Sequence, residues 1–381
     1  MLASQRELFD IPRDICYLNS ASYSPLPRRT QEAARAAIGR KGAPWTLDAA
    51  FANRQHERAR GAAARLINAD ASDVALISSV SFGVATVGKV LAIPPGMRVL
   101  VLENDHSSPI LEWQTRASSA GFTVETVRQP PDGDWTSAVL AAIDRTGAPR
   151  LALASISSVH WSDGGLIDIA KVGAALKRHG ALFLIDATHA IGVLAMDVKS
   201  LDPDFVIFPT YKWLLGPYGR AFIYMAKRHQ NGIPLEQTGF GRREIRSDAE
   251  IYFADVSYVP TARRFDMGER DHFISMEMAA IGMEMMAEWG TEAVAGRLAV
   301  LTARIAEALG GTKVRLMETR FRAPHVLSLG FAGGLPAGLI EGLAADGVYV
   351  APRLSRMRIS PHVFNDEEDA DRFVAALKKR L

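Results

Sequence analysis

The sequence ALFLIDATHAIG at residues 181–192, followed by DFVIFPTYKWLLGPYG at residues 204–219, decides the fold of this chain. Each stretch holds a short apolar run; Asp186 ends the first run, and Lys212 lies just beyond the second. Apolar runs of this length, bounded by turn residues, are typical of strands buried in a parallel sheet. The ligand crevice of an open α/β sheet lies at the carboxyl ends of its strands, so we expect Asp186 and Lys212 to face the same crevice.

A carboxylate and an amine at one crevice suit pyridoxal phosphate, an aldehyde cofactor with a ring nitrogen. Asp186 beside that nitrogen would hold the ring protonated. Lys212 lies in the run YKWLL, and a lysine in apolar surroundings loses its charge more readily and becomes a better nucleophile toward an aldehyde. His189 can meet the same ligand if the chain turns after Asp186, although a buried histidine with satisfied hydrogen bonds is an equally good interpretation.

The composition indicates an ordinary globular protein. The chain has 381 residues, of which 48% are hydrophobic and 23% are charged, and this length predicts more than one core. A net charge of +2 does not favour nucleic acid or an anionic membrane as a partner. No apolar run approaches the roughly 20 residues of a membrane span, and residues 1–10 lack the apolar core of a signal peptide. The single cysteine, Cys16, leaves no disulfide within the chain, and we expect a cytoplasmic location and no metal site.

Short apolar runs alternate with amphipathic segments from about residue 74 onward. The pattern predicts strands at 74–78, 98–102, 122–127, 151–155, 182–185, 205–208 and 221–225, and helices at 82–91, 109–120 and 168–179. Alternation at this spacing predicts an α/β fold with a largely parallel sheet that is covered by helices on both faces.

The alternation ends at about residue 230, and residues 230–263 read as an irregular connection. Beyond it the pattern predicts helices at 275–289 and 292–309, and a last helix capped by Asn365, with Glu368 three residues on as in a capping box. We divide the chain into three parts: an N-terminal arm at 1–20, a large domain at 21–260 and a smaller domain at 261–381.

The stretch 181–224 resembles the lysine-site region of class V aminotransferases. This family also holds kynureninases, cysteine desulfurases, selenocysteine lyases and isopenicillin N epimerase-like enzymes. The resemblance extends to YLNSA at 17–21 and MRISPHVFN at 357–365, and so to nearly the whole chain. It implies the type I fold of pyridoxal-phosphate-dependent transferases, with a mostly parallel sheet between helices in the large domain and an α+β C-terminal domain. It also implies a homodimer in which each active site is completed by the partner subunit.

The resemblance implies roles for the residues around the cofactor. Lys212 would hold the aldehyde as a Schiff base, and Asp186 and His189 would contact the ring. Ser81, Phe82 and Gly83 match the phosphate cup of the family, at a predicted helix N-terminus whose N–H groups can bind a dianion. Tyr211 matches a residue that reaches the same phosphate, and Thr210 stands beside it.

Two further ring contacts and a second phosphate contact follow from the resemblance. His106 matches the group that stacks on the cofactor ring. If the match is shifted by one residue, Ser107 takes this position and no stacking group remains. Trp161 falls where the family contacts the phenolic oxygen side of the ring, by packing or by an indole N–H. At residues 264–271, relatives often carry a hydroxyl that reaches the partner's phosphate. Glu269 replaces it in this chain, and we expect Arg270 to be the anchor instead.

The expected partner is a small-molecule substrate, an amino acid, and its recognition should need an arginine, because a guanidinium binds a carboxylate in a bidentate manner. Arg358, in the run MRISP, matches the carboxylate-binding arginine of the family, with Arg353 and Arg356 as nearby alternatives.

The same residues can serve transamination, elimination or racemisation, because each begins with loss of a proton from the substrate. We favour an aminotransferase, with a kynureninase-like or selenocysteine-lyase-like lyase or an epimerase as the alternative. Desulfurases need a nucleophilic cysteine ahead of the carboxylate-binding arginine. Residues 335–357 contain none, so a cysteine desulfurase is not expected. A non-catalytic binding protein of this fold is least favoured, because Lys212, Asp186, His189 and Arg358 are all present.

Overall fold

The computed structural model describes residues 2–381. Its α-helices are α1 (Arg28–Gly42), α2 (Ala49–Leu66), α3 (Val80–Val90), α4 (Ser107–Ala120), α5 (Trp135–Ile143), α6 (Ile169–His179), α7 (Val198–Leu201), α8 (Phe273–Trp289), α9 (Thr291–Ala308), α10 (Leu339–Ala345) and α11 (Glu367–Lys378). Its strands are β1 (Cys16–Tyr17), β2 (Val74–Ile77), β3 (Arg98–Leu102), β4 (Thr123–Val127), β5 (Leu151–Ser157), β6 (Leu182–Asp186), β7 (Phe205–Pro209), β8 (Ala221–Met225), β9 (Arg242–Ile245), β10 (Phe253–Tyr258), β11 (Arg315–Leu316), β12 (Leu327–Gly330), β13 (Val348–Tyr349), β14 (Ala351–Arg353) and β15 (Arg356–Ile359). None of these helices combines the length and the apolarity that crossing a membrane requires.

The central sheet has seven strands in the order β2-β8-β7-β6-β5-β3-β4. Its neighbouring strands are parallel except where β8 pairs with β2 and β7. The predicted largely parallel α/β sheet is confirmed. Because β6 and β7 are adjacent and parallel, the end of β6 at Asp186 and the loop after β7 lie at the same edge of the sheet.

The strand side chains alternate between two apolar clusters, one on each face of the sheet. In β7, Phe205 and Ile207 belong to the cluster that includes α3 and α4. Val206 and Phe208 belong to the cluster that includes α2, α5, α6 and α8. Both faces are covered by helices, so every position of β7 is buried, which explains why an uninterrupted apolar run marks this strand in the sequence.

A second, antiparallel sheet has the strand order β11-β12-β15-β14. The N-terminal arm is joined to this part of the chain: β1 pairs in parallel with β13, and Asn19 forms a β-bridge with Ser360. Cys16 and Leu18 of the arm are buried in the apolar cluster of the C-terminal strands and helices. The domain limits at residues 20 and 260 stay predictions.

The methionine-rich helix α8 packs against the central sheet. Met276, Met283 and Met286 are buried in the cluster that contains strand residues of this sheet. A Cβ atom on Gly282 of α8 would overlap the carbonyl oxygen of Leu214, so this helix approaches the loop after β7 as closely as a glycine allows. Helix α8 therefore supports the loop that carries Lys212.

Two local expectations were wrong. Residues 230–263 are not entirely irregular, because β9 and β10 form an antiparallel pair within them. Most side chains of this pair are exposed and its register is interrupted, so the sequence shows no apolar alternation there. The last helix is capped by Asp366 with Asp369, and not by Asn365 with Glu368. The Asn365 side chain instead donates to the carbonyl oxygen of Tyr17, a tertiary contact that no local pattern reveals.

A buried ion pair joins α2 to the segment that precedes α8. The Arg60 guanidinium donates to both carboxylate oxygens of Asp266, at 3.0 and 2.7 Å, and both side chains are fully buried. Asp266 also accepts from the backbone N–H of Leu76 at 2.9 Å, which ties the pair to β2 at the edge of the central sheet. Removing one member leaves the other as a buried charge with fewer partners.

We predict that Asp266→Ala lowers the free energy of unfolding by about 3–5 kcal/mol, because Arg60 then stays buried without its main acid partner. Urea unfolding followed by circular dichroism measures the change. Arg246→Ala, which breaks the exposed pair with Asp248, is the control and should change the midpoint little. Equal midpoints for the two variants would contradict the assignment of Asp266 as a structural anchor.

Candidate active site

A cavity of about 270 Å³ lies at the carboxyl edge of the central sheet. Residues at or just past the ends of four strands line it: Ser78 after β2, Ser157 of β5, Asp186 of β6 and Pro209 of β7. Of the residues predicted from the sequence, those in the lining are Ser81, His106, Trp161, Asp186, His189, Tyr211 and Lys212. The fold thus brings together residues that are up to 131 positions apart in the chain, from Ser81 to Lys212.

Lys212 is held in the cavity by a tight loop after β7. The backbone N–H of Gly216 donates to the carbonyl oxygen of Thr210 at 2.9 Å, and the Thr210 hydroxyl donates to the carbonyl oxygen of Pro217 at 2.8 Å. Lys212 itself is only 7% exposed. Burial, together with the positive charge of Arg358, lowers the pKa of Lys212 to about 7. Its amine is therefore largely a neutral nucleophile above neutral pH.

Asp186 faces the same cavity as a buried acid without a cationic partner. Its Oδ1 accepts from the backbone N–H of Thr188 at 2.9 Å. Within residues 2–381, no Lys or Arg nitrogen lies within 4.0 Å of this carboxylate, and Oδ2 accepts no hydrogen bond. An acid of this kind is suited to a protonated ring nitrogen, as the sequence predicts.

Trp213 sets the hydrogen bonding of His189. The indole Nε1, which can only donate, lies 3.2 Å from His189 Nδ1, so Nδ1 is the acceptor. Burial and the charge of Lys212 lower the pKa of His189 well below its ordinary value, which keeps the ring neutral. The remaining ring proton is then on Nε2, which lies 3.2 Å from Lys212 Nζ. His189 therefore presents an N–H donor to the cavity beside the lysine amine.

Two buried histidines that the sequence did not single out hold this arrangement. His325 Nε2 donates to the carbonyl oxygen of His189 at 2.6 Å, and its ring lies edge-on to Trp213. The His362 ring stacks on the Trp213 ring, with centroids 5.4 Å apart. Burial lowers the pKa of His325 to about 4 and that of His362 to about 3, so both are neutral. Only their three-dimensional placement around Trp213 identifies them.

The predicted phosphate cup lies at the start of α3. Ser79 caps this helix by accepting from the Phe82 N–H at 3.1 Å, and the Ser79 and Ser81 hydroxyl oxygens lie 3.0 Å apart. The backbone N–H groups of Val80 and Ser81, the first two of this helix, have no partner within it and are available to an anion. Gly83 serves the packing: a Cβ there would lie 2.8–2.9 Å from Ile77 and Ile207, so glycine lets the helix approach the sheet. The Phe82 ring lies outside this cavity.

His106 and Trp161 meet at the other wall of the cavity. Their rings are perpendicular with centroids 5.9 Å apart. Asp105 accepts from the His106 N–H at 2.7 Å and from the Ser157 hydroxyl at 2.8 Å, which ties this loop to β5. The Trp161 indole N–H donates to the carbonyl oxygen of Asn104 at 2.7 Å, so only the face or edge of its ring remains for a ligand.

Thr210 and Arg270, like Phe82 and Gly83, are not in the lining of the cavity within one chain. The Thr210 hydroxyl is used inside the lysine loop, as described above, and Thr210 is fully buried. Arg270 pairs with Asp266, and its guanidinium lies 4.6 Å over the ring of Phe240. A contact of Arg270 with the phosphate of a partner subunit stays a prediction.

Arg358 is a buried cation beside the cavity wall. It is 1% exposed and donates to the Trp161 carbonyl oxygen at 2.6 Å and to the Ser22 hydroxyl at 3.0 Å. Across the described part of the chain, no carboxylate lies within 4.0 Å of it. A buried guanidinium without an acid is suited to the carboxylate of a ligand.

Arg220 lines the cavity and was missed by the sequence analysis. It is 7% exposed and donates to the Ser275 hydroxyl at 2.6 Å, and burial lowers its pKa. As with Arg358, no acid within residues 2–381 pairs with it. The available signal was an arginine directly before the apolar run of β8, a position where a solvated side chain is not expected.

The chain is similar to proteins with two kinds of named activity. It is 27% identical over 380 residues to the uncharacterized aminotransferase YcbU of Bacillus subtilis (strain 168), covering 96% of this chain and 94% of YcbU. It is 24% identical over 348 residues to a probable cysteine desulfurase of Pyrococcus abyssi (strain GE5 / Orsay), covering 86% of this chain and 84% of that protein.

Solved structures share the fold. A cysteine desulfurase from Thermococcus onnurineus NA1 superposes with a TM-score of 0.84 at 19% identity, covering 100% of this chain and 98% of that one. The cystine C-S lyase C-DES, in complex with its product cysteine persulfide, superposes with a TM-score of 0.85 at 19% identity, covering 96% and 97% of the two chains.

The structural neighbours define the fold, which is fold type I of pyridoxal-phosphate-dependent enzymes. The chain belongs to the class V aminotransferase family, whose sequence model matches residues 16–373. The family resemblance drawn from residues 181–224 is therefore confirmed, and with it the expected cofactor of this family, pyridoxal phosphate.

The lowered pKa of Lys212 predicts how the apoprotein reacts with aldehydes as pH changes. Capture of a small aldehyde, trapped by borohydride and located by mass spectrometry, should rise through pH 7 at Lys212, and not near 10.5, the ordinary value for lysine. Exposed Lys171 in the same sample is the internal control for trapping by borohydride. A midpoint for Lys212 near 10.5 would contradict the proposed effect of burial.

Proposed function

We propose that this protein is a pyridoxal-phosphate-dependent enzyme that acts on amino acids, and that its reaction is transamination. The observation that carries the proposal is the buried Lys212 amine, with its lowered pKa, in a cavity that it shares with Asp186. The unpaired Arg358 beside this cavity supports a substrate that carries a carboxylate.

The residues of the cavity fit the groups of the cofactor. Lys212 would bind the aldehyde, and Asp186 would meet the ring nitrogen. The cofactor, when bound, supplies an electron sink that stabilises negative charge at the substrate Cα. His106 would lie against the ring face. At the phosphate end, the first turn of α3 with Ser79 and Ser81 offers hydrogen-bond donors, Tyr211 a hydroxyl, and Arg220 a positive charge.

The protein side chains would supply proton transfer, a hydrogen-bond donor and binding of the substrate carboxylate. The neutral Lys212 amine is suited to take a proton from the substrate Cα and to deliver it elsewhere, because a base with a pKa near the working pH is effective in both directions. The His189 Nε2–H is a fixed donor beside that amine. Arg358 would hold the carboxylate so that the Cα–H bond faces Lys212.

A lyase is the second candidate, and the names of relatives favour it. One relative is a probable cysteine desulfurase, and the fold neighbour C-DES is a cystine C-S lyase. The structure does not support a desulfurase that relies on its own cysteine. Cys16 is fully buried, its thiol donates to the Asp369 carbonyl oxygen at 3.2 Å, and burial raises its pKa. A lyase built on this chain would therefore eliminate its leaving group without a protein thiol.

We also propose a homodimer with shared active sites and a cytoplasmic location, as the family resemblance implies. The β9-β10 pair and the turn between them expose apolar side chains, with Ile251 66%, Tyr252 51% and Phe253 62% accessible, which supports a surface that meets another protein.

Incubating the holoenzyme with a panel of amino acids distinguishes transamination from a lyase reaction. Holoenzyme should absorb at about 410–430 nm, and Lys212→Ala should lose this band because the covalent bond to the lysine cannot form. Transamination would convert the cofactor to its amine form with one equivalent of keto acid. A lyase would release a fragment of the side chain and leave the cofactor as the aldehyde. A wild type that stays colourless with added pyridoxal phosphate would overturn the proposal.

Arg220→Met tests the phosphate end of the cavity. We expect affinity for pyridoxal phosphate to fall by about 10- to 100-fold, because a charge-assisted hydrogen bond is worth roughly 1.5–3 kcal/mol. Affinity for pyridoxal, which has no phosphate, should stay unchanged, and quenching of tryptophan fluorescence measures both. Arg322→Met is the matched control: Arg322 is buried but lies outside the cavity lining. Equal losses for both ligands would contradict a phosphate contact.

A further inference from the structure

Two arginines converge on one hydroxyl group beside the cavity. Arg353 Nη2 donates to Ser22 Oγ at 2.7 Å, and Arg358 Nη2 donates to the same atom at 3.0 Å. Ser22 in turn donates to Asn19 Oδ1 at 2.7 Å, so its single proton and both of its lone pairs are occupied. The hydroxyl therefore fixes the positions of two guanidinium groups and has no capacity left to bind a ligand itself.

The two guanidinium groups carry positive charge that the protein does not balance. Among residues 2–381, no carboxylate lies within 4.0 Å of either one. The Nε atoms of both side chains are buried and without a hydrogen-bond partner. Burial and the charge of Arg353 lower the pKa of Arg358, as expected for two like charges held close together. Such an arrangement is stable when an anionic ligand occupies it.

Both arginines contact Trp161, which lines the cavity. Arg358 Nη1 donates to the Trp161 carbonyl oxygen at 2.6 Å, and the Arg353 guanidinium lies 5.6 Å from the centre of its indole ring. Both arginines also contribute to the lowered pKa of Lys212, so their charges act on the reacting amine. The pair thus borders the place where a substrate bound at Lys212 would extend.

We propose that Arg353 binds a second acidic group, on the side chain of the substrate, while Arg358 binds the α-carboxylate. The substrate class is then amino acids with an anionic side chain, such as a carboxylate or a sulfinate. One carboxylate would leave one of the two positive charges unbalanced, whereas two acidic groups match both. Substrates with a cationic side chain are repelled by Arg353. This inference rests on the proposed function, because it requires an amino acid bound near Lys212.

Binding of isosteric pairs to the holoenzyme tests the inference before turnover. Rapid mixing gives dissociation constants for aspartate against asparagine and for glutamate against glutamine, from the concentration dependence of the first change in the cofactor band, before any conversion to the amine form. We expect the acid of at least one pair to bind about 10- to 100-fold more tightly than its amide. Arg353→Gln should bring this ratio close to one, and Arg353→Lys should retain part of it. Arg356→Gln, an arginine of β15 outside the cavity lining, is the matched control and should keep the ratio.

The outcomes separate this inference from the proposed function. Amides that bind as tightly as their acids, or a preference that survives in Arg353→Gln, would overturn the role of Arg353 while leaving an amino-acid enzyme in place. An alanine-induced change in the band would show in the same experiment that amino acids do bind. If neither alanine nor any acid or amide changes the band, both the proposed function and this inference are wrong.

Discussion

The burial of the Lys212 amine is the constraint on which the rest of the site depends. A lysine that is 7% exposed loses most of its hydration, and among residues 2–381 no carboxylate lies within 4.0 Å of its amine. The charge of Asp186 in the same cavity raises the pKa of Lys212, but burial and the charge of Arg358 outweigh it. The site tolerates this because the amine can lose its proton. Three features hold the lysine there: the closed loop after β7, helix α8 packed closely behind that loop, and Trp213, which is enclosed by His189, His325 and His362. The buried side of α8 is mainly apolar, and the histidines around Trp213 are neutral, so the amine lies in a medium of low polarity.

The same cavity and its wall are rich in positive charge. Arg220, Arg353 and Arg358 are all without an acid partner among residues 2–381. Asp186 is an acid without a basic partner in the same part of the chain. Such an excess is costly in a folded chain unless a ligand brings negative charge. This positive charge lies in two places: Arg220 is at the lysine loop, and Arg353 and Arg358 are beyond Trp161. This separation suits a phosphorylated cofactor at one end and an acidic substrate at the other.

Much of the fold could be predicted because the central strands are buried on both faces. Each of them must be apolar throughout, and such runs are visible in the sequence, as β6 and β7 illustrate. The exposed β9-β10 pair carries no such pattern and was missed. The cap of the last helix was placed one residue early, because Asn365 and Asp366 are both good capping residues and the choice depends on the contact of Asn365 with Tyr17. Local propensity does not contain that contact.

The sequence by itself determined the family and the cofactor, because its motifs extend along the chain. It also predicted that Lys212 and Asp186 face one cavity, because both lie at the ends of buried strands. Only the tertiary structure decided which polar groups face the cavity and which are used elsewhere. Thr210 donates within its own loop, Arg270 pairs with Asp266, and the Trp161 indole donates to Asn104. Arg220 and Arg353 instead donate to neutral groups and have no acid partner among residues 2–381. The physical reason is that a side chain's availability depends on its hydrogen-bond partners, and these come from distant parts of the chain.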